Sequence, residues 1–272
     1  MPYSKPAALR ACSIIELLYT MIDKWAADGR PKEGAFKWTP PTGDKDFCSF
    51  STLVWSEAKT WRRKPGPKTR YCWVKECSPM IVLAMTPDDI LYIGVRGTST
   101  DLEWASNMRF VPVFMNIGGV DMGHVHEGFG DTSRYCEKSF QATLAAFAAA
   151  QTTIKGVVVA GHSLGAAVAT LLSVSLLQSD WFKGSGLNAS QVYLYGSPSV
   201  GQKDFLSLFN PLPCHEVFNI RNTCDIVPLV PPGELGFHHV DTLMKFTKDW
   251  GSLRDNHVMP IYRAAVTEGW VG

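Results

Sequence analysis

The residues that could do covalent chemistry gather around one pentapeptide, Gly161-His162-Ser163-Leu164-Gly165, set between Val157-Val158-Val159-Ala160 and an alanine- and leucine-rich run that begins at Ala166. A serine on a sharp strand-to-helix turn projects its hydroxyl above the end of a sheet. Residues two before and two after must be small, because larger side chains would collide with the neighbouring strand and helix. Gly161 and Gly165 stand at those positions. The turn also aims the first amides of the helix at the hydroxyl, which makes the Leu164 N–H a candidate oxyanion donor. Ala166, Ala167 and Ala169 keep that helix slim against the sheet. The competing reading is a turn serine without chemistry, and five residues with two free positions are weak evidence alone. The flanking strand and helix favour the nucleophile.

A serine hydroxyl at its ordinary pKa needs a base, and the base needs an acid to orient it. Three histidines, His238, His239 and His257, follow the next plausible acid. Asp225 is the best placed, just beyond a strand ending near Ile220 and therefore at the carboxyl edge of the sheet, where sites of α/β proteins form. Asp204, Asp241 and Asp255 are alternatives: the first sits in a helical pattern, the other two close to the histidines. His257 precedes Val258-Met259-Pro260 in a loop entering a final helix, and a loop can carry an imidazole to a serine on another strand. His238 and His239, in an alternating segment, are expected to be structural.

The elements that must position these groups follow from periodicity. Ile14, Leu17, Leu18, Met21, Ile22 and Trp25 recur at helical spacing and predict an amphipathic N-terminal helix packed on the domain, in place of a signal peptide, since Glu16 interrupts the apolar run. A Pro- and Gly-rich loop spans Asp28 to Asp44, and Phe47 to Lys59 mixes helical and strand signals. Met80–Met85 and Ile90–Val95, separated by Pro87-Asp88-Asp89, read as a hairpin. Phe129–Ala150 reads as a long helix with Tyr135, Phe140, Leu144 and Phe147 on or near one face. Val157–Ala160, Gln191–Tyr195 and Glu216–Ile220 read as buried strands. Helix and strand thus alternate from about residue 130 to 220, which predicts an α/β fold: a mostly parallel central sheet flanked by helices. One domain over residues 1–272 is expected, with an N-terminal helix and loops in 1–79 and the core in 80–272.

Composition narrows the partners. The 272 residues are 46% hydrophobic, ample for a core, and 26 Lys+Arg against 25 Asp+Glu give a net charge of +1 that would hold no polyanion, so no nucleic acid is expected. Five cations in Trp61-Arg62-Arg63-Lys64-Pro65-Gly66-Pro67-Lys68-Thr69-Arg70 read as a solvated Pro/Gly loop, with contact to anionic headgroups as the alternative. No apolar run approaches the ~20 residues of a transmembrane helix. Seven cysteines leave at least one unpaired, and none forms a metal-binding C-x2-C pair. Cys72 and Cys77 could bond only across a turn. This count slightly favours a reducing, cytoplasmic compartment, and secretion would require a leader removed from the chain.

Six separated segments, in order, resemble the class 3 lipases, the α/β-hydrolases that include the filamentous-fungal triacylglycerol lipases: Val95-Arg96-Gly97-Thr98-Ser99, Phe110-Val111-Pro112-Val113, Val125-His126-Glu127-Gly128-Phe129, Gly161–Gly165, Tyr195-Gly196-Ser197-Pro198-Ser199-Val200-Gly201 and Asn222-Thr223-Cys224-Asp225-Ile226-Val227-Pro228. The first 80 residues carry no matching motif. The resemblance implies a single α/β-hydrolase domain with a short lid helix, Ser163 as nucleophile, His257 as base and Asp225 as orienting acid. It further implies Thr98 beside Leu164 in the oxyanion hole, and a lid at about residues 100–109 whose Leu102, Trp104 and Met108 could form an apolar face. Asp101 and Glu103 make that face less apolar than a strongly interfacial one, and a fixed surface helix is the alternative. Ala166 stands where many relatives carry a second glycine, and His126 is expected to make a structural hydrogen bond at a strand end.

The function implied is a carboxylester hydrolase of the lipase type, acting on acylglycerols through an acyl-enzyme, without metal or other cofactor. The alternatives are an esterase on soluble, aryl, phospholipid or polymer esters, and a non-catalytic lipase-like binding protein. The partners expected are a lipid or other ester substrate and a transient membrane or lipid-droplet interface, with the chain monomeric.

Overall fold

The computed structural model describes residues 2–41, 43–64, 70–98, 110–187, 190–213, 215–240 and 243–271, with backbone alone over 58–64 and 70–76. The chain opens with helix α1 (Lys5–Ala27), and then strands β1 (Ser49–Phe50), β2 (Val54–Lys64), β3 (Arg70–Met85) and β4 (Ile90–Val95) follow. A small hairpin, β5 (Pro112–Ile117) and β6 (Val120–His126), leads into α2 (Glu127–Ala149). The second half alternates β7 (Gly156–His162), α3 (Leu164–Gln178), the short α4 (Asp180–Gly184), β8 (Ser190–Tyr195), α5 (Lys203–Phe209), β9 (His215–Asn222), β10 (Leu243–Phe246) and α6 (Met259–Glu268).

Eight strands form one sheet in the order β1-β3-β4-β7-β8-β9-β10, with β2 paired to β3. From β4 to β10 every pairing is parallel, and the strands before β4 pair antiparallel. Every residue of β7 is buried, as befits a strand covered on both faces. Side chains alternate across a strand, so Val157 and Val159 join the core built with α2 and α3, whereas Val158 and Ala160 join the core built with α1 and α6. The site therefore lies at the carboxyl edge of a sheet held between two helical layers, as an α/β-hydrolase requires.

α1 packs closely on the sheet. Gly94, in β4, leaves the space that Ile14 fills: a methyl group at Gly94 would lie 2.8 Å from Ile14 Cγ1 and 3.0 Å from Leu18 Cδ1. Ile14, Leu18, Met21, Ile22 and Trp25 are buried as the periodicity predicts, while Leu17 is only half-buried. Ser4 caps the helix by accepting a hydrogen bond from Ala7 N, and Lys5 and Pro6 occupy its first turn.

Several expectations are corrected. Residues 49–50, 54–64 and 70–79 are strand where loop was expected: they supply β1, β2 and the first part of β3 to the main sheet. The backbone of Trp61–Lys64 and Arg70, expected in a solvated loop, is strand, and residues 65–69 lie outside the described residues. Cys72 and Cys77 share the extended β3 with no turn between them. At roughly 3.3 Å per residue they stand about 17 Å apart, far beyond disulfide reach. Tyr135, placed on the buried face of the α2 pattern, is exposed and donates its hydroxyl hydrogen to the Glu57 carboxylate, because it lies outside the row formed by Phe140, Leu144 and Phe147. Among the described residues, no helix is long and apolar enough to cross a membrane.

The tight seat of α1 gives a direct test. Gly94→Val should overpack the α1 contact and lower stability by about 1–3 kcal/mol, and adding Ile14→Ala should recover part of the loss. Chemical denaturation of the two single variants and the double variant measures that coupling; strict additivity would show that the contact is slack.

Candidate active site

The Ser163 backbone adopts φ 59° and ψ −132°, a conformation that few residues other than glycine take up. Its surroundings hold it there. Ser163 N donates to the Tyr195 carbonyl at 3.0 Å, which ties the turn to the end of β8. A methyl group at Gly161 would fall 2.8 Å from Ala166 Cα, and one at Gly165 would collide with the backbone of Val95 and Arg96. The two glycines flanking the serine are thus demanded by backbone-to-backbone contact on either side.

Ser163 lies 2.8 Å, Oγ to Nε2, from His257, and His257 Nδ1 lies 2.6 Å from Asp225 Oδ2. All three are buried, Asp225 completely. The bare Nε2 accepts from the serine hydroxyl, and the protonated Nδ1 donates to the carboxylate. Such an arrangement can remove the serine proton and return it to a leaving group. Asp225 would be costly to bury as an unpartnered charge. Its Oδ1 accepts from Val227 N at 2.9 Å, and its Oδ2 accepts a second hydrogen bond, at 2.5 Å, from the Tyr262 hydroxyl of α6. Burial, together with the neighbouring carboxylate, pushes the Tyr262 phenol well above its ordinary pKa, so it remains a donor.

A second chain of hydrogen bonds reaches His257 from behind. His162 Nε2 donates to the His257 carbonyl at 2.7 Å, which leaves Nδ1 bare to accept from the Tyr19 hydroxyl at 2.6 Å. Burial, and next the adjacent His257, hold the His162 pKa well below its ordinary value, so this imidazole is neutral. Tyr19 comes from α1, and a methyl group at Gly97 would strike its hydroxyl and lie 3.0 Å from Ser163 Cβ. The Gly97-Thr98 segment therefore runs directly over the serine. Buried Arg96 fixes that segment by donating to the Gly97 carbonyl at 2.6 Å and to the Pro79 carbonyl at 2.6 Å.

Thr98 is half-buried beside Gly97, and Leu164 opens α3, where its N–H has no acceptor within the helix. Leu102, Trp104 and Met108, the expected lid residues, lie outside the described residues, as does Asp241. Asp204, on α5, pairs instead with His124 at 2.6 Å, and Asp255 accepts from Ser252. His239 lies 2.7 Å, through Nε2, from the Pro228 carbonyl, and His238 pairs through its backbone with Gly201. His126 caps α2 by accepting from Gly128 N. Among the described residues, no three His, Cys, Asp or Glu side chains are grouped as metal ligands. Tyr19 and Tyr262 were not singled out from the sequence. Tyr262 does lie five residues after His257, on the helix expected there, but Tyr19 has only its helical spacing to mark it.

The model of the family described as Lipase (class 3) matches residues 92–235, more than half of the chain. The chain belongs to the class 3 lipases. It is similar to a lipase of Rhizomucor miehei, 34% identical over 154 residues, which covers 55% of this chain and 39% of that one. It is also similar to phospholipase A1-II 3 of Oryza sativa subsp. indica, 27% identical over 244 residues, covering 74% of this chain and 58% of the other. The solved structure of the Rhizomucor miehei lipase with its propeptide superposes with a TM-score of 0.53 at 29% identity, over 61% of this chain and 51% of that one. The chain thus spans less than two thirds of the length of these relatives. The segment matched by the class 3 lipase model contains Ser163 and Asp225; Tyr19, His257 and Tyr262 lie outside it.

Two outcomes follow from this geometry. Tyr262→Phe removes one hydrogen bond from a buried carboxylate and should cost about 1.5–3 kcal/mol of stability, measured by urea denaturation at neutral pH. The low pKa of His162 means that the unfolded chain, with an ordinary histidine near 6.5, binds more protons at acid pH than the folded one. Stability must therefore fall as the pH drops below about 6.5. His162→Gln should flatten part of that slope in thermal melts between pH 7.5 and 5, with the remainder due to His215 and His239, also held low by burial. A slope identical to that of the parent chain would contradict it.

Proposed function

We propose that this protein is a serine carboxylester hydrolase acting on acylglycerol-type esters. The observation that carries the proposal is the unbroken line from the Ser163 hydroxyl through His257 to the buried Asp225. In this reading Ser163 Oγ attacks the ester carbonyl carbon while His257 Nε2 takes its proton, and the carbonyl oxygen becomes an oxyanion. The Leu164 N–H, at the positive end of α3, and the Thr98 amide and hydroxyl receive that charge. Collapse breaks the ester C–O bond, and His257 returns the proton to the departing alcohol. Water, deprotonated by the same imidazole, then releases the acid from Ser163. Asp225 stays ionised throughout and stabilises the imidazolium.

Membership of a lipase family supports an acyl ester of glycerol as the substrate, presented at a lipid surface. The similarity to a phospholipase A1 over 74% of the chain favours one second reading, a glycerophospholipid ester cleaved by the same three residues. Rates on triacylglycerol emulsions and on phosphatidylcholine vesicles would rank the two.

Ser163→Ala should keep the fold, judged by circular dichroism, and lower kcat on a p-nitrophenyl ester by about 10⁵–10⁶-fold, the loss expected when the nucleophile of such a unit is removed. Labelling by a fluorophosphonate should be lost in parallel. Hydrolysis by this variant at the parent rate would remove Ser163 from the mechanism.

A further inference from the structure

Asn222 ends β9 with its side chain fully buried, and every hydrogen-bonding position of its carboxamide is occupied by backbone. Oδ1 accepts from Cys224 N at 3.2 Å and from Lys248 N at 3.1 Å. Nδ2 donates to the Lys248 carbonyl at 2.8 Å and to the Asn256 carbonyl at 3.1 Å. These partners belong to three separate stretches: the turn that carries Asp225, the segment following β10, and the loop that carries His257. The Asn222 backbone joins in, because its carbonyl accepts from Asp225 N at 3.1 Å and its N–H approaches the Tyr262 hydroxyl at 3.5 Å.

The Asn256 carbonyl belongs to the peptide bond whose nitrogen is that of His257, so the Nδ2 bond acts one peptide away from the imidazole. Besides the 2.7 Å bond from His162, at the end of β7, to the His257 carbonyl, the hydrogen bonds of the histidine loop are largely internal. Asn256 ties the loop to itself, accepting from Trp250 N at 2.7 Å and donating to Asp249 Oδ1 at 2.9 Å. Residues 247–255 are exposed, and no strand or helix covers that stretch. Asp225 and His257 meet across 32 residues of chain, and their 2.6 Å contact needs both backbones placed to a few tenths of an ångström. A side chain that hydrogen-bonds both backbones at once supplies that placement.

We infer that Asn222 is a positioning residue for the proposed hydrolysis: its carboxamide locks the turn bearing Asp225 to the loop bearing His257 and so sets the acid-to-imidazole contact. The inference rests on the triad reading above. Without the carboxamide, both loops keep their sequence and their own internal hydrogen bonds but lose a common reference.

Asn222→Ala and the isosteric Asn222→Asp test it, the second keeping the volume and the acceptor while replacing the donor with an oxygen that faces two carbonyls. Each is assayed on a p-nitrophenyl ester well below its melting temperature, with the folded fraction checked by circular dichroism. The expected result is a fall in kcat of about 10- to 100-fold, the scale of a misplacement near 1 Å, with KM within twofold. The far-downfield proton NMR resonance of the His257 Nδ1–H to Asp225 hydrogen bond should shift or disappear. A loss spread equally over every property, with the resonance unmoved, is what a purely structural residue would give and would overturn the inference. So would a kcat within twofold of the parent in either folded variant. If the parent chain itself neither hydrolyses esters nor takes up a fluorophosphonate, the hydrolase reading fails; the NMR arm then still decides whether Asn222 sets the contact.

Discussion

The buried carboxylate of Asp225 is the constraint around which the carboxyl edge of the sheet is organised. A charge with no solvent access survives only where donors converge on it, and here an imidazole, a phenol and a backbone amide do so. Each donor belongs to a different piece of chain. The amide comes from the turn after β9, the imidazole from the loop before α6, and the phenol from α6 itself. Satisfying one carboxylate therefore brings together the turn after β9, the His257 loop and the start of α6, and the same arrangement turns His257 Nε2 toward Ser163.

The serine is held by opposite means. Its strained backbone is confined by contacts between main chains, possible because Gly161 and Gly165 have no side chains, and by the Gly97 segment lying across it. Arg96 supports that segment through the Gly97 carbonyl and the Pro79 carbonyl of β3. The serine turn and the Gly97 segment are thus fixed by main-chain packing with hydrogen bonds to backbone carbonyls, and Asp225 and His257 by hydrogen bonds that converge on their side chains. Different substitutions should therefore loosen the two halves of the site independently.

β7, β8 and β9 were legible because their central residues are buried on both faces, and Val157–Ala160 writes an uninterrupted apolar run; β10, with one buried residue in four, carries no such signal. Ser163, Asp225 and His257 were legible because chemistry restricts them to a turn, a strand end and a loop in a fixed order, and the geometry places them in contact. Of the antiparallel edge, the β3–β4 pairing was legible as the hairpin of Met80–Met85 and Ile90–Val95, and the rest was not. β2 and the first part of β3 mix charged, aromatic and cysteine residues, without the clean alternation of a strand that has one buried face, and Pro65 and Pro67 make residues 61–70 read as loop. Tyr135 was misassigned because an alanine-rich helix leaves its buried face poorly marked. Tyr19 acts through one polar atom, and Asn222 through a carboxamide most of whose partners are distant in sequence, and no local pattern can announce such contacts.

The Arg263 guanidinium of α6 grips Glu16 of α1 through Nε at 2.7 Å and also donates to Ser13, so the first and last helices lie clasped together behind the site. Tyr19 and Tyr262 enter from these two helices, one behind His162 and the other behind Asp225. During synthesis, the serine turn and the acid turn leave the ribosome well before residues 257–263. Until those residues emerge, α1 lacks the partner it clasps and Asp225 lacks two of its three donors. The nascent chain is thereby kept from assembling this arrangement until residues 257–263 have been made.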